Sequence, residues 1–150
     1  MNTVRKLNRS RGFSQFELLD KDNPVELLNF EKQVGQKLPD GFRLFLLEYN
    51  GGVFNESVFL DSPDGPVVVA TFLPISHTAP ESINVSFDYF QENGFPGFIP
   101  FGSDPGGNYF LLGFTESNLD NVYYWSHETM HATKIIDSFD DFINVLAPDD

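Results

Sequence analysis

The stretch from Leu38 to Gly52, LPDGFRLFLLEYNGG, does most to limit what this chain can fold into. Phe42, Phe45, Leu46 and Tyr49 stand at i, i+3, i+4 and i+7, the spacing of one helix face. Leu44 and Leu47 widen that stripe, which predicts a helix buried over much of its circumference. Pro39 suits a first turn, where its missing N–H removes only an orphan donor, and Asp40 there favours the positive helix end. Asn50-Gly51-Gly52 ends the helix, because these residues accept positive φ. A segment this apolar must form one wall of a core, and 150 residues leave room for one such core.

Residues 1–15 lack a clear period and carry Arg5, Lys6, Arg9 and Arg11, so an arm or short docking helix is expected over residues 1–22, ahead of a domain of residues 23–150. Asn23-Pro24 opens a helix, with Asn23 as cap, Glu26 in the first turn and Gly35 at its end. Past Gly52 the period changes. Residues 53–60 read as a strand, 61–66 (DSPDGP) as a turn, and 67–73 as a strand covered on both faces. Residues 81–91 form a short helix supported by Val85, Phe87, Tyr89 and Phe90. Residues 98–102 and 109–114 form a hairpin around SDPGGN, and 122–125 with 133–136 a further pair. Ser138 and Asp141 make a capping box for a last helix. The expected fold is α+β in a single domain. It has a mainly antiparallel sheet of about five to six strands, with two N-terminal helices, a short middle helix and a C-terminal helix.

Charge narrows the function. The net charge is −13, which opposes direct contact with nucleic-acid phosphates. Up to residue 43 there are eight bases against six acids, a balance of +2; after it there is one base against sixteen acids, a balance of −15. Solubility explains such a surface, and so does steering toward a basic protein. The absence of cysteine removes disulfides and thiolate chemistry, and seventeen phenylalanines point to a large aromatic core. No apolar run is long enough for a membrane span, and no apolar stretch follows the basic N-terminus as in a signal peptide.

His127-Glu128-Thr129-Met130-His131 matches the H-E-x-x-H pattern of zinc proteases. That chemistry needs both imidazoles one helical turn apart with the glutamate beside a metal-bound water. Here the five residues lie between β-rich VYYWS and ATKII, so a hairpin loop is expected, and a zinc hydrolase is the alternative reading. The glycine-rich segment at residues 102–107 lacks the Lys-Ser/Thr and following helix of a phosphate loop. Tyr123, Tyr124 and Trp125 beside carboxylates are compatible with sugar binding, although aromatics in a strand more often serve a core.

Three blocks carry a resemblance: residues 30–52; Ile99-Pro100-Phe101-Gly102 with Asp104, Gly106, Gly107 and Asn108; and Val122-Tyr123-Tyr124-Trp125-Ser126-His127-Glu128. In this order, across about residues 25–146, they resemble the SUKH superfamily of Smi/Knr-like domains. Asn108 and Ser126 stand where members of that family often carry acids.

The resemblance implies a protein-binding module rather than an enzyme, with no cofactor and no metal. Many bacterial members are similar to cytoplasmic immunity proteins that neutralise toxin domains, often nucleases; other relatives are regulatory scaffolds of the cell-wall-regulator type. The expected partner is therefore a cognate toxin domain with a basic surface, bound stoichiometrically by a monomer or weak dimer, with no direct nucleic-acid or membrane contact. Candidate aromatic anchors are Phe54, Tyr123 and Trp125; candidate acidic contacts are Asp61, Asp64, Asp104, Glu116, Asp120 and Glu128.

Overall fold

The stripe that dominates the sequence is a helix, and the sheet is packed against it. A computed structural model describes residues 12–16 and 18–146. Helix α1 (Val25–Val34) ends at Gly35, whose φ of 93° lets its amide turn back to the Glu31 carbonyl. Asn23 does not cap it through its side chain: Asp20 Oδ1 instead accepts from the Asp22 amide at 3.0 Å and holds Asn23 in a local turn. Helix α2 (Asp40–Glu48) buries Phe42, Phe45 and Leu46, while Leu44 is 64% exposed, so the stripe is narrower than expected. Glu31 clamps the two helices together, with Oε2 accepting from Arg43 Nε at 3.1 Å and from the Leu38 amide at 2.9 Å.

The chain then forms an antiparallel sheet in which every strand neighbours the next: β1 (Phe13–Gln15), β2 (Gly52–Leu60), β3 (Val67–Phe72), β4 (Phe98–Ser103), β5 (Tyr109–Gly113), β6 (Val122–Ser126) and β7 (His131–Ile136). The seven strands among the described residues exceed the expected five to six because residues 13–15, read as part of an arm or short helix, join the edge of β2. Three residues show no alternation to read, yet Phe13 lies over Gly52, where a Cβ would run into its ring. Residues 1–11 lie outside the described part of the chain. Strand β3 is not covered on both faces: Val67, Val69 and Phe72 are buried, but Val68 and Ala70 are only half-buried. Pro100 sits opposite Leu111 of β5 beside a register shift between Pro100 and Gly102, and β4 pairs with β3 only at Gly102 and Ser103, so its missing N–H falls where the ladder is already interrupted.

Helix α3 (Ile83–Glu92) enters between β3 and β4, capped by Ser82, whose Oγ accepts from the Val85 amide at 3.2 Å. Helix α4 (Phe139–Leu146) follows β7, and Ser138 Oγ accepts from the Asp141 amide at 3.1 Å, one of the two bonds of the expected capping box. One core lies between the sheet and helices α2 and α4. Phe42, Phe45, Phe72, Phe101, Phe110, Phe139 and Phe142 are all buried there, most pairs meeting edge-on or tilted at 4.8–6.5 Å. A smaller cluster of Phe90, Leu111 and Trp125 sits on the opposite face, under α3.

Candidate partner-binding surface

In a meander, alternate turns share one end of the sheet. The β2–β3, β4–β5 and β6–β7 turns therefore cluster together, while the β5–β6 loop lies at the other end. The first end carries Asp61, Asp64, Asp104 and Glu128, and no Lys or Arg stands at residues 61–66, 104–108 or 127–130. Glu116 and Asp120 are at the opposite end. The acids expected to act together thus divide into two sets.

One hydrogen-bond network ties two of the three turns, β4–β5 and β6–β7, together. Asp104 Oδ1 accepts from the Gly106 and Asn108 amides, both at 2.9 Å, so the carboxylate folds the β4–β5 turn around itself. Its Oδ2 accepts from Asn108 Nδ2 at 2.9 Å and from the Tyr124 hydroxyl at 2.6 Å. Asn108 Oδ1 then accepts from the His127 amide at 2.9 Å and lies 2.7 Å from His127 Nδ1, joining two hairpins. Asn108 fits this place as an amide: its Nδ2 donates to a carboxylate while its Oδ1 accepts. Burial pushes the Asp104 carboxyl up, but the donors from Tyr124, Asn108 and Gly106 outweigh it and hold it below its usual range. Burial first, and then Asp104 itself, push the Tyr124 hydroxyl above the ordinary phenol range.

Tyr124→Phe is accordingly expected to cost about 1–2 kcal/mol at neutral pH, the scale of a hydrogen bond to a charged group that keeps some solvent contact. Because the carboxyl is held below its unfolded value of about 3.9, its stabilisation is fully present above that value and is lost as pH falls through the folded one. Urea unfolding at pH 7 and pH 3 should show the variant's deficit shrinking at the acid end.

The H-E-x-x-H segment occupies the β6–β7 turn, as its β-rich flanks predict. Residues 127–130 are a turn, Met130 has φ 58°, and His131 already belongs to β7. The helical geometry that places two imidazoles on one metal is absent, and His127 Nδ1 faces Asn108 instead.

The aromatic candidates are mostly committed to the fold. Trp125 is 4% exposed and packs against Phe90, Phe95 and Tyr109 at 5.0–6.0 Å, so it is not available as an exposed anchor. Phe54 packs on Phe13 and Phe72, filling the β1–β2 corner. Tyr123 is half-buried against Phe98 at 4.8 Å. Asp120, at φ 67°, is drawn into the fold too: its Oδ1 lies 3.4 Å from the Phe139 amide at the start of α4. Burial raises its carboxyl above the usual range, the Phe139 amide offsets part of this, and Asp140 and Asp141 add to it. Asp61, Asp64, Glu116 and Glu128 are exposed.

Among the described residues, open grooves flank the turn end on two sides. One, of about 510 Å³, lies between the β2–β3 turn and β6–β7 and is lined by Asp64, Tyr124, Ser126, Thr129 and His131 among others. The other, of about 440 Å³, lies between α3 and the ends of β5 and β6. Sequence reasoning missed the second because it used Val85 and Tyr89 only as support for a helix and did not separate the faces of that helix. In fact Ile83, Phe87 and Phe90 form the buried stripe of α3, and Val85 and Tyr89, at i and i+4 of the opposite side, are 57% and 52% exposed. A second apolar pair off the main stripe was the available signal.

Among the described residues no helix is long and apolar enough to cross a membrane. No curated protein matches the chain. The model of the SMI1 / KNR4 family (SUKH-1) matches residues 23–145, covering the α1–α2 pair, the sheet from β2 onward and nearly all of α4. The hairpin network of Asp104, Asn108, Tyr124 and His127 and the α2-to-β2 turn lie wholly within that match, and the chain belongs to the SMI1 / KNR4 family (SUKH-1).

Proposed function

We propose that this chain is a non-catalytic binding protein of the immunity type, which blocks a basic toxin domain by stoichiometric association through the turn end of its sheet. The observation that carries the reading is the arrangement of that end: three neighbouring turns bear Asp61, Asp64, Asp104 and Glu128 without a Lys or Arg among them. The network from Asp104 to His127 ties the β4–β5 turn to the β6–β7 turn, which limits the order those two have to gain on binding. A nuclease-type domain presents cations to phosphate, and a preformed acidic surface complements them. Family membership supports a protein partner.

The test is direct. Mixed with the toxin domain encoded by a neighbouring gene, the protein should form a one-to-one complex and abolish the domain's activity only at equimolar ratio. Loss of toxin activity at a small fraction of that ratio would indicate catalytic turnover, and absence of a complex would remove the reading.

A further inference from the structure

The groove beside α3 has a chemistry of its own. Its floor holds Phe90 and Trp125, both buried, and Tyr109, half-buried; Tyr89 stands exposed at its lip. Glu81 is exposed at the mouth, and close enough to act electrostatically on the Tyr109 hydroxyl. Among the described residues no Lys or Arg lines the groove, and His127 at its rim is turned to Asn108 through Nδ1. The Trp125 indole Nε1–H is buried without a hydrogen-bond partner among the described residues; a guanidinium has no acceptor to offer it, so this donor is left to a backbone carbonyl of the same partner segment. Aromatic walls beside one carboxylate discriminate among side chains. An aliphatic side chain would use the walls and leave Glu81 without a partner. A lysine ammonium is strongly hydrated and compact, whereas a guanidinium is planar, less hydrated and stacks on aromatic rings while pairing with a carboxylate.

We propose that this groove seats an arginine side chain of the partner protein, its guanidinium against the rings of Tyr89 and Tyr109 and opposite Glu81. The assignment rests on the functional reading above, and charge supports the occupant: the chain after residue 43 carries a balance of −15.

The chain has a single tryptophan, so it gives a single indole N–H resonance, located at the groove floor. Titration with N-acetyl-arginine methylamide should shift that resonance saturably, with an affinity about tenfold above that of the citrulline, lysine and leucine analogues. Glu81→Gln and Tyr89→Ala should each weaken the arginine probe by several-fold. Both residues are exposed, and unchanged amide resonances elsewhere will show the fold intact. Equal response to any other analogue, or an unchanged titration in Glu81→Gln, would overturn the assignment. Partner binding separates the two claims. A toxin domain that binds the protein and its Glu81→Gln variant equally well removes the arginine site and leaves the immunity reading standing. A saturable arginine response with no domain complex upholds the groove's preference and removes the immunity reading.

Discussion

Phe101→Ala is expected to remove about 3–5 kcal/mol of stability, the range for deleting a large aromatic from a packed core. Phe101 is 1% exposed and meets Phe42, Phe72, Phe110, Phe139 and Phe142 at 5.3–6.5 Å, so it joins both covering helices to strands β3 and β5. No single neighbour can collapse into the space, because each is already held by others of the set. Urea unfolding should show a lower midpoint with a similar slope. Leu44→Ala, on the exposed side of α2, should stay within about 0.5 kcal/mol. A loss below about 1 kcal/mol for Phe101→Ala would mean that the aromatic lattice is not where the fold is held.

Asn50→Ala is the second large effect, expected at about 2–4 kcal/mol. Asn50 is 4% exposed, and its side chain serves one residue twice: Oδ1 accepts from the Ile75 amide at 2.8 Å and Nδ2 donates to the Ile75 carbonyl at 2.9 Å. Truncation leaves both groups buried and unpaired, at about 1–3 kcal/mol each before relaxation. The adjacent Gly51, at φ 85°, explains why the chain can come so close, since a Cβ there would lie 2.7 Å from the Pro74 nitrogen. Asn50→Asp should do no better, because a carboxylate can accept from Ile75 but not donate to it, and its charge would be buried. Amide exchange at Ile75 gives the local readout: protection should fall sharply in Asn50→Ala. Unchanged protection would show that the clamp is not needed.

Sequence order made the helices and six of the strands legible, because each is long enough to show a period and most are bounded by turn formers. Strand β1 was not, since three residues carry no period and its placement depends on a ring lying over Gly52. The Asn50-Gly51-Gly52 stretch was read as the helix stop, but the helix ends just before it, at Glu48, with Tyr49 already extended at φ −137°; the clamp on Ile75, twenty-five residues from Asn50, is a tertiary contact that no local pattern encodes. The H-E-x-x-H letters were resolved by their flanks, because strands on both sides leave room only for a turn. The candidate surface was harder to read. Exposed acids are found by charge alone, but which of them share an end depends on strand order, which separates Glu116 and Asp120 from Asp61, Asp64 and Glu128. Trp125 and Phe54 were taken as anchors because aromatics favour interfaces, yet packing claims them first in a domain this rich in phenylalanine.

The division of acids between two ends makes the account testable by kinetics. Electrostatic steering acts before contact, so neutralising charge at the binding end should slow association, while equal neutralisation elsewhere should matter little. Asp64→Asn with Glu128→Gln removes two charges from two adjacent turns; Glu116→Gln with Asp140→Asn removes two from the opposite end. The measurement is stopped-flow association with the neighbouring gene's toxin domain at 0.01 M and 0.15 M salt, between which the Debye length falls from about 30 Å to about 8 Å. The first pair should slow association about three- to tenfold at low salt and less at the higher, and the second should stay within about twofold of the unaltered protein. Equal slowing by both pairs, or a rate indifferent to salt, would contradict binding through the acidic turn end.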